Sequence, residues 1–149
     1  MDTDKNEPEI MEEPGTNILI FTSLVFISNI MTALYKEYYV YAGCFLLLTV
    51  TSIIVHTYDT IYTNTIDKLA VTLIIGYGSY MLWNKYLLSD ENIVLILSVV
   101  FAFTFCIFVY IYGYITQKYC FHSQKCIADV YHSCMHFISS MGHHIIILL

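Results

Sequence analysis

The sequence alternates long apolar runs with short polar breaks. Five runs, at residues 17–34, 39–57, 66–83, 93–115 and 127–149, are each long enough for a helix that crosses roughly 30 Å of hydrocarbon. Tyrosines gather at the borders of these runs, where an amphipathic ring suits the headgroup region of a membrane. The pattern predicts an all-α fold: a multi-pass transmembrane bundle of about five helices.

Composition supports a membrane environment over a soluble one. Of the 149 residues, 58% are hydrophobic and 12% are charged, and the mean hydropathy is +0.65. A soluble domain of this size cannot bury so much apolar surface, whereas helices in lipid satisfy their own backbone hydrogen bonds. The integral membrane protein predicted here has the lipid bilayer as its first partner.

The N-terminal segment, residues 1–16, differs from the rest because it carries six carboxylates against the single Lys5. It predicts a disordered acidic tail ahead of a transmembrane domain at residues 17–149. A secretory signal begins with basic residues, so we expect the first apolar run to be retained as a signal anchor. Four of the six lysines fall on the N-terminal side of the membrane, which favours a cytosolic N-terminus.

The net charge of −6 and the lack of any basic cluster exclude nucleic acid as a partner. The chain contains no arginine and is rich in isoleucine, tyrosine and asparagine, a composition typical of an AT-rich genome such as that of a large DNA virus. An endomembrane of the ER–Golgi type and a viral membrane are both compatible locations.

Ionisable residues at membrane depth are the strongest indication of function, because burying them there costs free energy and they usually face a protein interior. Ser52 and His56 end the second run, Asp67 opens the third, and His132 and His136 begin the fifth. Residues four apart share one face of a helix, so each i, i+4 pair can point at one object. Two crossings separate the second run from the fifth, so we expect all of these residues at one side of the membrane.

These residue types predict a zinc site. Three neutral histidines with one open position form a known catalytic zinc arrangement, and we assign His56, His132 and His136 as ligands. Asp67 is placed to hold or deprotonate a bound water.

Structural interpretations compete with this hypothesis. Interfacial histidines often meet headgroups, serines in membrane helices often bond to their own backbone, and Asp67 is favourable in a first helical turn in any case. A second metal site at Cys120, His122 and Cys126 matches no common zinc spacing. The five cysteines form no regular framework and are expected to pack as small buried hydrophobes.

The ordered combination of Ser52-x3-His56, Asp67 eleven residues later, and His132-x3-His136 resembles the signature of the CREST superfamily of membrane hydrolases. This superfamily includes alkaline ceramidases, progestin and adipoQ receptors and myomaker-like proteins. The resemblance covers roughly residues 50–78 and 128–145. It implies that His56, His132 and His136 hold Zn²⁺, with Asp67 and Ser52 as catalytic residues, and that the substrate is an amide or ester of a lipid such as ceramide.

The chain departs from the family pattern in two ways. The family normally has seven spans, whereas about five are predicted in this chain. In addition, Met135 replaces the tryptophan that is common before the last histidine. A non-catalytic relative that scaffolds or remodels membranes is therefore the alternative, as is a protein whose lipid pocket is completed by a membrane-protein partner or a second copy. An ion pathway is disfavoured, because the fourth run offers only Ser98 and Thr104 as polar residues within the bundle.

Overall fold

The computed structural model of the protein describes residues 18–88 and 93–149, and within these residues it contains helices and no strand. A short 3₁₀ turn at Tyr119–Phe121 precedes the last helix. The helices are α1 (Ile18–Ser23), α2 (Phe26–Tyr35), α3 (Tyr39–Thr57), α4 (Ile61–Leu88), α5 (Ile93–Thr116) and α6 (Lys125–Leu148). Since α1 and α2 share one apolar run, the predicted all-α bundle of about five helical segments is confirmed. The predicted acidic tail, residues 1–16, lies outside the described residues.

Within residues 18–88 and 93–149, three segments are long and apolar enough to cross a membrane: Ile18–Tyr35, Tyr39–Thr57 and Ile93–Phe121. They also present large apolar side chains outwards, including Phe21 at 63% and Phe101 at 72% exposure. Soluble proteins rarely expose contiguous apolar surface along whole helices. The chain is therefore a membrane protein. The other two predicted runs form α4 and α6, which are long helices of more polar composition.

The first predicted span is interrupted at Leu24 and Val25, where a continuous helix was expected. The backbone there switches to i→i−3 bonds, from Leu24 N to Phe21 O and from Val25 N to Thr22 O, both at 3.2 Å. The hydroxyls of Thr22 and Ser23 both donate to the carbonyl of Leu19, at 3.3 and 2.7 Å. Such back-bonding bends helices, and it gives a physical reason for a break that involves neither proline nor glycine.

Helix α4 begins five residues before the predicted start at residue 66, because two threonines cap it. Thr63 N donates to Thr60 Oγ1 at 3.2 Å, and Thr60 N donates to Thr63 Oγ1 at 3.0 Å. This reciprocal pair satisfies donors that a helix start leaves without partners. The helix also continues to Leu88, beyond the predicted end at residue 83.

The turn between α2 and α3 is only three residues long. Tyr38 N donates to Ala33 O at 2.8 Å and Glu37 N donates to Leu34 O at 3.0 Å, while Glu37 adopts a left-handed φ of 61°. These two bonds form a Schellman motif, which satisfies the last carbonyls of α2. The chain therefore reverses direction at once, and α3 packs antiparallel against α2.

The interrupted first span lies between α3 and α6, while α4 packs on α3 and α5 packs on α6. Buried aromatic and aliphatic side chains from five helices form the core, including Phe26, Tyr41, Phe45, Val99 and Ile146. This arrangement brings the end of α3, the start of α6 and the α1 helix to the same end of the bundle.

Candidate metal centre

Three histidines from two helices meet at this end of the bundle. His56 lies in the last turn of α3, and His132 and His136 lie one turn apart near the start of α6. Their ring centroids are separated by 5.0 Å (His56–His132), 4.8 Å (His132–His136) and 5.6 Å (His56–His136). His136 is buried and the other two are half-buried. We call these residues the histidine triplet.

The donor atoms of the histidine triplet lie close enough together to hold a metal ion, with one nitrogen from each ring within 4.8 Å of the others. Tetrahedral zinc with bonds of about 2.0–2.1 Å holds its ligand atoms roughly 3.3 Å apart. A pair at the 4.8 Å limit would therefore have to close by about 1.5 Å to bind zinc. Three imidazoles leave a fourth position for water or substrate, as catalytic zinc sites do.

The two catalytic residues predicted beside the metal are held by other side chains. Ser52 is 3% exposed, and its Oγ lies 2.8 Å from Ser23 Oγ in α1. Asp67 Oδ1 accepts a hydrogen bond of 3.0 Å from Thr51 Oγ1. Neither residue belongs to the histidine triplet. The structure thus brings together the three predicted ligands and places Ser52 and Asp67 in separate contacts on either side of α3.

Sequence reasoning missed the contribution of the first span to this site. Thr22 Oγ1 lies 3.0 Å from His136 Nδ1 and 3.4 Å from Ser133 Oγ, and the Phe26 ring lies 5.4 Å from the His136 ring. The only signal in the sequence was the presence of adjacent hydroxyl residues, Thr22 and Ser23, within an apolar run. Such residues commonly join membrane helices.

Two further histidines of α6 are bonded within the bundle. His143 is 2% exposed, and its Nδ1 lies 2.6 Å from Tyr41 Oη. His144 Nε2 lies 2.9 Å from Ser28 Oγ. These contacts tie α6 to α3 and α2 and give both side chains a structural role.

The alternative cysteine–histidine site is not assembled as a cluster. Cys120 Sγ donates to Met135 Sδ at 3.2 Å, His122 Nδ1 accepts from Gln124 N at 3.0 Å, and Cys126 is exposed. Among the described residues, the histidine triplet is the grouping with metal-binding geometry.

Comparison of the chain with models of protein families, with curated proteins and with solved structures gives no match. The resemblance to the CREST superfamily therefore rests on the spacing of Ser52, His56, Asp67, His132 and His136 alone.

Proposed function

We propose that this chain is a multi-pass membrane protein that binds zinc through the histidine triplet and hydrolyses an amide or ester bond of a lipid. The observation that carries the proposal is the convergence of His56 with His132 and His136. These residues are separated by two long helices in the sequence, yet one nitrogen from each ring lies within 4.8 Å of the others.

The depth of the site suits a lipid carbonyl. Helix α3 has 19 residues, which at 1.5 Å per residue is about 28 Å, close to the thickness of the hydrocarbon core. His56 in its last turn therefore lies near the boundary between acyl chains and headgroups. The ester and amide bonds of membrane lipids lie at that boundary, so a lipid reaches the site without leaving the bilayer.

Each residue has a defined part in this proposal. The three imidazoles bind the metal as neutral ligands, and bound zinc supplies Lewis acidity and a nucleophile near neutral pH. Thr51 orients the carboxylate of Asp67 through Oδ1, and we assign the other oxygen, Oδ2, to accept a proton. Ser52 is assigned to orient the substrate carbonyl.

The proposal extends to the family and the setting of the protein. A member of the CREST superfamily, in an endomembrane or a viral membrane, accounts for the order of the site residues. The chain is proposed to complete its lipid pocket with a second copy or another membrane protein.

The first test is zinc stoichiometry, measured by elemental analysis of the protein purified in detergent. We expect about one zinc per chain, lost in the double variant His132→Ala with His136→Ala. His122→Ala is the matched control, because it removes a histidine outside the histidine triplet and should leave zinc unchanged. A well-folded wild-type protein without zinc above background would overturn the proposal.

The second test separates metal binding from catalysis. Wild-type protein and Asp67→Asn are incubated with ceramides and with ester lipids in mixed micelles, and released fatty acid is measured by mass spectrometry. We expect Asp67→Asn to retain zinc and to lose at least a hundredfold in rate, the typical scale for removal of a general base. Equal rates in the two proteins would exclude Asp67 from the chemistry.

A non-enzymatic scaffold is the second candidate, and the contacts of the two predicted catalytic residues favour it. Ser52 is bonded to Ser23 and Asp67 to Thr51, so both take part in helix-joining contacts. This hypothesis does not depend on zinc binding in the first test. It expects that no lipid amide or ester is cleaved in the second test.

A further inference from the structure

The first membrane span contacts the proposed metal site through Thr22, by a hydrogen bond, and through the ring of Phe26. Thr22, at 8% exposure, places its hydroxyl oxygen 3.0 Å from His136 Nδ1, across 114 residues of sequence. Helix α1, which ends at Ser23, supplies no residue to the histidine triplet.

The hydrogen-bond partners of Thr22 indicate which nitrogen of His136 carries the proton. A threonine hydroxyl has one proton to donate and two lone pairs that accept. The carbonyl of Leu19, 3.3 Å away, can only accept, so it takes the Thr22 proton. Ser133 Oγ, 3.4 Å away, is a second acceptor of that proton, and the oxygen of Thr22 is left to accept from His136 Nδ1–H, 3.0 Å away.

A proton on Nδ1 leaves the lone pair of His136 on Nε2. A neutral imidazole has one donor and one acceptor nitrogen, and only the acceptor can bind a metal. The ring of Phe26, 5.4 Å from that of His136, further restricts rotation of the imidazole. Metal-binding histidines usually donate their other N–H to such a partner, and loss of that partner typically weakens metal binding 10- to 100-fold.

We propose that Thr22 is a positioning residue of the metal site, which accepts the Nδ1 proton of His136 and so presents Nε2 to the zinc ion. This inference rests on the proposed zinc site and extends it to the first span. It gives α1 a role in metal affinity that is separate from its role in helix packing.

The test compares zinc affinity among four folded proteins, by competition with a coloured chelator in detergent. Thr22→Val removes the acceptor and keeps the shape of the side chain, and Thr22→Ser restores the hydroxyl. Thr49→Val is the matched control, because Thr49 is 5% exposed and its hydroxyl donates to Phe45 O of its own helix at 2.7 Å. We expect Thr22→Val to bind zinc 10- to 100-fold more weakly than wild type, with Thr22→Ser and Thr49→Val within about threefold of wild type.

The outcomes separate this inference from the proposed function. If the wild-type protein binds no zinc, the metal site itself fails and the role of Thr22 fails with it. If the wild type binds zinc and Thr22→Val binds it equally well, the site stands and the inference is overturned. Equal losses in Thr22→Val and Thr49→Val would also overturn it, since they would indicate a general effect on folding.

A second measurement requires no variant at Thr22. Nitrogen-15 NMR of histidine-labelled wild-type protein reports which ring nitrogen is protonated, and His136→Gln identifies the signal of His136. We expect a proton on Nδ1 and a zinc-dependent shift at Nε2. A proton on Nε2 in the zinc-loaded protein would contradict the inference.

Discussion

Gly78 lies in a close helix contact in the bundle core, where no space is left for an added methyl group. A Cβ atom added at Gly78 would lie 2.8 Å from Tyr41 Oη and 2.9 Å from His143 Cε1. These two side chains are 0% and 2% exposed and bond to each other at 2.6 Å, so neither has space to withdraw. Gly76, two residues earlier in the same helix, has no atom within 4 Å of its added Cβ.

The contrast between Gly78→Ala and Gly76→Ala isolates the cost of this contact. Alanine is more favourable than glycine in a helix by about 1 kcal/mol, and this gain applies to both positions. Non-bonded carbon atoms prefer separations of about 3.5–4.0 Å, so the rings must shift by several tenths of an ångström or more, and such overpacking typically costs about 1–3 kcal/mol. We therefore expect Gly78→Ala to be less stable than Gly76→Ala by about 1–3 kcal/mol.

The measurement is the free energy of unfolding in mixed micelles titrated with a denaturing detergent. Gly76→Ala should equal or exceed the wild type in stability, which serves as the control for helix propensity in α4. Agreement of the two variants within about 0.5 kcal/mol, which is the spread of a neutral surface substitution, would show that α4 does not approach Tyr41 and His143 as described.

Three further predictions concern other contacts. Asn29 donates to Ser140 O at 3.0 Å and accepts from Ser140 Oγ at 2.5 Å. A double-mutant cycle of Asn29→Val and Ser140→Ala, measured by unfolding, should therefore give a coupling energy of about 0.6–1.7 kcal/mol. Additive effects of the two substitutions would show that these side chains do not interact. Gly113→Ala places Cβ 2.7 Å from Lys118 O and should lower the unfolding free energy by about 1–3 kcal/mol, while Gly43→Ala, with open space around it, should not. Zinc at a hundredfold excess over its Kd should stabilise the wild type by about 2.7 kcal/mol, and a chelator should remove this gain, with no effect on the variant that lacks both α6 ligands.

The sequence predicted the helices because membrane-length apolar runs leave the chain few alternatives. It also predicted that His56 would meet His132 and His136, since the two apolar runs between them were expected to return the chain to the same side. These features depend on the chain order and on local spacing alone.

Other features depend on how each helix is rotated about its own axis, which spacing within one helix does not determine. The hydrogen bond from Thr51 to Asp67 was not expected. Ser52, the next residue, shares a helix face with His56 and was therefore the residue assigned to the site. The break after Ser23 has no proline or glycine to mark it. The partner of Thr22 likewise became visible only when α1 and α6 were placed side by side.

The three-residue turn between α2 and α3 has a consequence for how the protein can be labelled. The backbone N–H groups of Glu37 and Tyr38 in that turn both donate hydrogen bonds to the end of α2. An epitope tag inserted there would break these bonds and separate two helices that pack directly. Ser123 and Gln124 are exposed in the connection before α6, which offers a longer and more open insertion point. A reporter at this second position would reveal on which side of the membrane the histidine triplet lies.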